Sequence, residues 1–289
     1  MAVRLGLVGR GRWGQIIART LARFDGVSVV PIGRGDPRPA GLDGVIVATQ
    51  SVTHADVAIP YIDAGIPTFI EKPLATSTAD ASRIAAAAGR SGAPIFVGHI
   101  HLHNPAFQTA LALRARLGPV RAMLCEAANE RPRADSSVLW EWLPHPLALA
   151  RAFLGREAEH VEAWGLIGAP VTQAAVARFD FGATPVLMVA NRLSPTAVFR
   201  ITIAGEGGTL VFDDRAERKI ALYDPAGAVT HPPYDDELPL DRELRAFLKA
   251  IETSAPDAPH LEMGTAVVRA IAAAEASVAA GGTRVGIGL

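Results

Sequence analysis

The opening residues constrain the fold more than any other stretch. An apolar run, Val3 to Val8, leads straight into Gly9-Arg10-Gly11-Arg12-Trp13-Gly14, and a helical pattern, Gln15 to Phe24, follows without a break. In a strand, glycine turn and helix of this kind, the first glycine permits a tight turn and the third lets the helix pack on the strand. The second allows backbone to approach a pyrophosphate, whose charge is met by the free N–H groups of the helix N-terminus. The glycine spacing alone also suits a turn that binds nothing. The flanking strand and helix favour a bound dinucleotide.

The pattern after it is regular. Strands are expected at Val27 to Ile32, Val45 to Thr49, Pro67 to Ile70 and Pro94 to Gly98, with helices at Thr53 to Ala64 and Ser77 to Arg90. Such alternation predicts a doubly wound parallel sheet with helices on both faces. The Gly/Pro-rich loop from Gly33 to Asp43 leaves no room for a helix between the second and third strands. A helix from Asn104 to Leu117 is closed by Gly118-Pro119, where the domain boundary is placed: residues 1–118 for dinucleotide binding, residues 119–289 for substrate and self-association. The second half reads as successive strands from Val120 to Tyr223, with one helix from Trp140 to Leu154. Helices over Asp241 to Thr253 and Met263 to Ala279 close the chain and are expected to pack back on the first domain. This is an α+β domain with a large, mostly antiparallel open sheet.

Composition narrows the function. Apolar residues make up 49%, charged residues 20%, and the net charge is −1. That balance carries no footprint for nucleic acid or an anionic membrane, so a small-molecule substrate is expected. The single cysteine, Cys125, rules out an internal disulfide and suits a reducing compartment. The first apolar run is short and broken by Arg4, and no stretch nears the roughly 20 apolar residues of a membrane span. A cytoplasmic protein is the expectation.

Arginine supplies nearly all the basic charge. Lysine occurs only at Lys72, Lys219 and Lys249. Lys72 lies in Glu71-Lys72-Pro73, at the carboxyl end of a strand, where open α/β sheets bind their ligands. Its amine, beside a carboxylate and partly desolvated, suits proton exchange with a substrate hydroxyl. At the end of the second strand, Gly33 is followed by Arg34, where a carboxylate for a ribose 2′-hydroxyl usually stands about 20 residues past the glycines. A cation without that carboxylate favours a 2′-phosphate, so NADP is preferred over NAD.

Several motifs together resemble the Gfo/Idh/MocA oxidoreductase family: Gly9 to Gly14, Ala48-Thr49 followed by His54, Glu71-Lys72-Pro73-Leu74, Val97-Gly98-His99 with Asn104-Pro105-Ala106-Phe107, and Gly205-Glu206-Gly207-Gly208-Thr209-Leu210. The resemblance runs almost end to end. It implies a Rossmann domain, a second domain whose sheet forms a homodimer or homotetramer interface, and NAD(P)-dependent redox chemistry on sugars, sugar nucleotides, cyclitols or related polyols. It implies that Lys72 is catalytic and positions nicotinamide, and that Gly9, Gly11, Arg12, Trp13, Gly14, Thr49, His54 and Glu71 serve the cofactor, alongside the Arg34 already expected there from its place after the second strand. A family Asp-x-x-x-His motif corresponds to Glu141-Trp142-Leu143-Pro144-His145, making His145 a second acid or base.

Three departures stand out. Glu141 replaces the family aspartate, Gln50 replaces a usual proline, and His101-Leu102-His103 occupies a loop that often bears arginine. If extended, His99, His101 and His103 would align on one side; without a nearby carboxylate or cysteine, no metal is expected. His101, His103, Asn104, Glu141 and His145 are instead expected to contact substrate, with Glu141 and His145 on one helical face. The reading is a dehydrogenase that moves hydride to or from a carbinol carbon. The alternative is a dinucleotide-binding sensor of the same fold that has lost catalysis.

Overall fold

The computed structural model describes residues 2–33, 35–130, 135–168, 171–253 and 258–288. In chain order the elements are β1 (Val3–Val8), α1 (Arg12–Leu21), β2 (Val27–Ile32), β3 (Gly44–Val47), α2 (His54–Ile62), β4 (Thr68–Glu71), α3 (Thr78–Ser91) and β5 (Ile95–Gly98). Then follow α4 (Pro105–Ala112), α5 (Arg114–Leu117), β6 (Val120–Glu130), α6 (Val138–Trp142), α7 (Pro144–Leu154), β7 (His160–Gly168), β8 (Thr172–Phe181), β9 (Thr184–Asn191) and β10 (Leu193–Gly205). The last are β11 (Gly208–Asp213), β12 (Ile220–Tyr223), β13 (Val229–Thr230), α8 (Pro239–Thr253), α9 (Ala258–Ala279) and β14 (Val285–Gly286).

The chain groups into two compact units, residues 1–100 with 238–268 and residues 101–237 with 269–289. The division falls at His101, ahead of the Gly118-Pro119 turn, because α4 packs on β11 and β12 rather than on the parallel sheet. Helix α8 groups with the first unit.

In the first unit the strands are parallel in the order β2-β1-β3-β4-β5. The chain reverses its winding between β1 and β3, and such a switch point opens a crevice at the carboxyl ends of the strands. Strands β3, β4 and β5 are buried throughout, as expected for a sheet covered on both faces. Residues 33–43 connect β2 to β3 without a helix, so the doubly wound sheet is trimmed on that side. Pro31 is tolerated in β2 because that strand lies at the edge. On one face, Ile17 and Leu21 of α1 join Leu240, Leu244 and Phe247 of α8 over Leu5, Leu7, Ile46, Phe69 and Phe96. The rings of Phe69 and Phe96 stack at 5.3 Å, and Phe247 meets both edge-on. These side chains fix α8 against the strand ends that carry the glycine turn and Lys72.

The second unit holds a nine-stranded sheet, β13-β12-β11-β10-β6-β9-β8-β7-β14. Every pairing is antiparallel except β6 with β9. One face buries Met123, Cys125, Val186, Met188, Phe199, Ile201 and Ile203. The opposite face leaves Leu124, Leu187 and Val189 38–47% exposed on adjacent strands. Two expected helices are divided: Asn104 to Leu117 breaks at Leu113, and Trp140 to Leu154 breaks at Leu143, where Pro144 opens a new helix. Among the described residues, no helix is long and apolar enough to cross a membrane.

Candidate active site

The glycine turn is built as its sequence requires. Gly9 has φ +122°, and a Cβ there would lie 2.3 Å from the carbonyl oxygen of Ala48 on the neighbouring strand. A Cβ on Gly14 would lie 2.1 Å from the Gly9 carbonyl oxygen. Both glycines are fixed by backbone packed against backbone. Gly11 differs: nothing lies within 4 Å of its Cβ position, and as N-cap of α1 it supplies no side-chain hydrogen bond to the helix. The turn therefore presents an open approach to a helix N-terminus whose leading N–H groups suit a diphosphate. The residues present fit a dinucleotide.

Beside this turn, Trp13 on the first turn of α1 donates its indole N–H to Glu71 Oε1. Glu71 Oε2 accepts from the backbone N–H of Lys72 at 3.2 Å. The Glu71 side chain also sits against the next strand, where a Cβ on Gly98 would lie 3.2 Å from its carboxyl carbon. Burial pushes the Glu71 pKa up to about 7, opposed by the Trp13 hydrogen bond and the Lys72 charge. The buried Glu71 carboxyl is thus directly tied to the lysine turn.

His54 supports that turn from the backbone side. It is 1% exposed, with Nδ1 2.9 Å from the Pro73 carbonyl oxygen and Nε2 3.3 Å from that of Thr49. Burial lowers its pKa, so the neutral ring is favoured. Its ring spans the ends of β3 and β4, holding Thr49 and Pro73 in register. Thr49 is capped in turn by the Thr53 hydroxyl at 2.9 Å. Arg34 lies outside the described residues. The same loop holds a carboxylate that sequence spacing did not single out: Asp36 Oδ2 accepts from the Gly33 N–H at 2.6 Å and lies 3.5 Å from Arg10 Nη2.

In the second unit, His101 and His145 are brought together. The His101 ring stacks on Phe199 at 4.0 Å and meets His145 edge-on at 4.7 Å. Trp142 lies 6.2 Å from the His145 ring. Residues Ile100–His103 form one 3-10 turn, so the extended alignment of three histidines does not form. Among the described residues, no group of three or more His, Cys, Asp or Glu is placed to hold a metal ion. His103 is half-buried.

Asn104 is committed to structure. Its Oδ1 caps α4 by accepting from Ala106 N at 3.0 Å, and its Nδ2 donates to Asp214 at 2.8 Å, an oxygen that also receives Lys219 Nζ at 2.7 Å. Glu141 lies in α6 and His145 in α7, so the two do not share one helix face. Glu141 accepts from Arg192, whose Nε lies 2.5 Å away. Arg192 is fully buried and also donates to the Ser136 and Ser137 carbonyl oxygens at 2.6 and 3.1 Å. Nothing local in the sequence couples it to Glu141; an arginine closing an apolar strand was the available signal.

Known proteins place this arrangement. Residues 36–99 match the Gfo/Idh/MocA model, described as an oxidoreductase family with an NAD-binding Rossmann fold. A myo-inositol dehydrogenase of Streptomyces leeuwenhoekii, Hyg17, is 28% identical over 67% of this chain, and the match spans 65% of that protein's length. A crystal structure from Magnetospirillum magnetotacticum MS-1 is 29% identical with a TM-score of 0.85, covering 94% of this chain and 99% of that one. An inositol dehydrogenase homologue from Azotobacter vinelandii, solved with NADH and myo-inositol, shares the fold with a TM-score of 0.85 at 18% identity, over 99% of this chain and 98% of that one. With its glycine turn, its Glu71-Lys72-Pro73 corner and its two sheets, this chain is similar to oxidoreductases of the Gfo/Idh/MocA family, whose NAD-binding Rossmann model it matches over residues 36–99.

Proposed function

We propose that the protein is an NAD(P)-dependent dehydrogenase moving hydride between nicotinamide and a carbinol carbon of a cyclitol or similar polyol. The observation that carries the reading is the link from Trp13 through Glu71 to Lys72, which joins the dinucleotide turn to the one lysine at the strand ends. The cyclitol class is supported by the Streptomyces relative.

In this reading Gly9, Gly11, Arg12 and Gly14 hold the diphosphate, Thr49 and His54 set the neighbouring strand end, and Trp13 with Glu71 orients Lys72. Bound nicotinamide supplies the hydride donor or acceptor. Lys72 and His145 are each candidates for the acid or base that handles the proton of the substrate oxygen. His101 and His103 offer hydrogen bonds to the remaining hydroxyls, and Glu141, anchored by Arg192, shapes the same unit. Oxidation removes a hydride from carbon and a proton from oxygen, so a base that waits for the proton must be neutral before the step.

The choice of dinucleotide turns on two side chains. Arg34 is expected to favour a 2′-phosphate, and NADP with it. Asp36 returns a carboxylate to the end of β2, which favours a free 2′-hydroxyl. Asp36, held in place by the Gly33 N–H and facing Arg10, suits that role, and on it we place NAD first and NADP second.

The exposed apolar face of the large sheet, with Leu124, Leu187 and Val189, supports a homodimer or homotetramer formed there. A reducing, cytoplasmic setting suits the buried Cys125, whose thiol burial holds protonated.

The test is dinucleotide reduction by the purified protein across myo-inositol, other cyclitols, hexoses and sugar nucleotides, with both NAD and NADP. Turnover on a cyclitol is expected. A protein that binds the dinucleotide and reduces none of it with any of these substrates is the sensor instead.

A further inference from the structure

Two histidines of the second unit meet ring to ring. His101 lies face-on against Phe199, with centroids 4.0 Å apart and planes 9° from parallel. His145 stands 4.7 Å from His101 at 88°, and 5.9 Å from Phe199. Those three separations set His145 at the rim of the His101 ring, which carries the ring nitrogens, and not over its second face. Apolar stacking therefore accounts for His101 against Phe199 but not for His101 against His145. The contact between the imidazoles joins two titratable groups. At this separation two positive rings repel, so a second proton binds less readily than the first.

Which ring takes the first proton follows from the surroundings. His145 is the second residue of α7, an 11-residue helix, where the free N–H groups and the helix dipole oppose a cation. It is also only 8% exposed, so burial works against its charge, whereas His101 is half-buried. Phe199 offers His101 an aromatic face, which stabilises a cation lying over it. All three effects put the proton on His101.

Charged groups on the neighbouring elements are engaged with one another. Glu141 of α6 is held by Arg192, and Arg151 of α7 by Glu157 at 3.0 Å. Arg200, next to Phe199 in β10, lies 2.8 Å from Asp213 and 4.0 Å from Glu126 of β6. Asp214 donates its backbone N–H to the Phe199 carbonyl oxygen at 3.0 Å, and its carboxylate receives Lys219. Burial keeps Cys125 of β6 protonated. His99 and His103 flank His101 in the chain, His103 on the same 3-10 turn.

We propose that His101 is a positioning residue for His145: it takes the one proton that the pair readily holds, so that His145 remains a neutral imidazole as the pH falls. The consequence for catalysis rests on the dehydrogenase reading above, in which a neutral His145 can accept a proton from a substrate hydroxyl and an imidazolium cannot. The charge assignment itself is measured without any substrate.

The intact protein carries eight histidines, whose labelled Cε1 atoms each give a signal in NMR, with His101→Gln and His145→Gln identifying the pair. On lowering the pH, the wild type is expected to protonate His101 before His145. In His101→Gln the His145 midpoint should rise by about one pH unit, because the neighbouring cation is gone. An unmoved His145 midpoint overturns the proposal, and so does a wild type in which His145 takes the first proton. A His101 that only packs on Phe199 would change stability and leave the His145 midpoint in place. Should the glutamine variant fail to fold, His101→Phe keeps a ring on Phe199 and is read by the same signal. His103→Gln is the control for the turn: a rise in the His145 midpoint as large as that in His101→Gln also overturns the proposal. Failure of the dehydrogenase reading is distinguishable, since it would show as no turnover on any substrate with the His145 shift still present.

Discussion

Trp13 donates its indole N–H to Glu71 across the boundary between the glycine turn and the lysine corner. The contact explains why a tryptophan stands inside the glycine motif, and it makes the two motifs one device. Removing the donor with Trp13→Phe costs the charged Glu71 a hydrogen bond worth about 1.5–3 kcal/mol. Glu71 should then ionise at higher pH and orient Lys72 less well. Turnover at pH 7 is expected to fall roughly tenfold or more, with dinucleotide affinity changing less; steady-state kinetics with direct dinucleotide titration separates the two.

The buried carboxyls make stability depend on pH in a direction opposite to that of paired surface acids. Between the unfolded value of 4.5 and the folded value of about 7, the unfolded chain has released the Glu71 proton and the folded chain has kept it. Stability from this group is therefore full below pH 4.5 and declines as pH rises, by about 3 kcal/mol. Glu243 adds to the same slope. His54, lowered by burial, acts in the opposite sense below pH 6.5, but equally in wild type and variant. Glu243→Gln should thus melt higher than wild type at pH 8, with the gap closing toward pH 5. Thermal melts across that range check it, and parallel curves would contradict it.

Arg192 is fully buried, and its guanidinium ties Glu141 to the turn that precedes α6. Breaking a buried ion pair from one side costs about 3–5 kcal/mol. Arg192→Met should lower stability toward the smaller figure, because Glu141 retains some access to solvent. Chemical denaturation gives the value. A change of less than about 1 kcal/mol would mean the pair is held by other contacts.

Asp36 carries the proposed preference for NAD. Asp36→Ala should raise kcat/KM with NADP relative to NAD by about tenfold, the worth of one charge-assisted hydrogen bond. The ratio measured with one fixed substrate decides it. An unchanged ratio would return the choice to Arg34.

Local motifs were legible because their physics is local. Gly9 and Gly14 are fixed by backbone approach within one strand-turn-helix unit, and the alternation of β3, α2, β4, α3 and β5 follows from burial on both faces. The missing helix between β2 and β3 was visible from loop length and glycine and proline content alone. What escaped depends on partners remote in the chain. Arg192 meets Glu141 only after the sheet and helices have formed. The break at Leu143 was hidden because the pattern from Trp140 to Leu154 read as one helix, whereas α7 begins at Pro144. The parallel pairing of β6 with β9 likewise leaves no trace in either strand's alternation. Asn104 shows the converse, a motif residue whose amide is spent on a helix cap and Asp214.

The central claim is that Lys72 handles the proton in a hydride transfer. Its most direct test is Lys72→Ala, assayed on whichever cyclitol the wild type oxidises, with dinucleotide binding measured in parallel. Loss of a general acid or base lowers the rate by about 100- to 10,000-fold. The account predicts a fall of that size, with dinucleotide affinity nearly intact. Turnover equal to wild type in a variant that still binds the dinucleotide would contradict it.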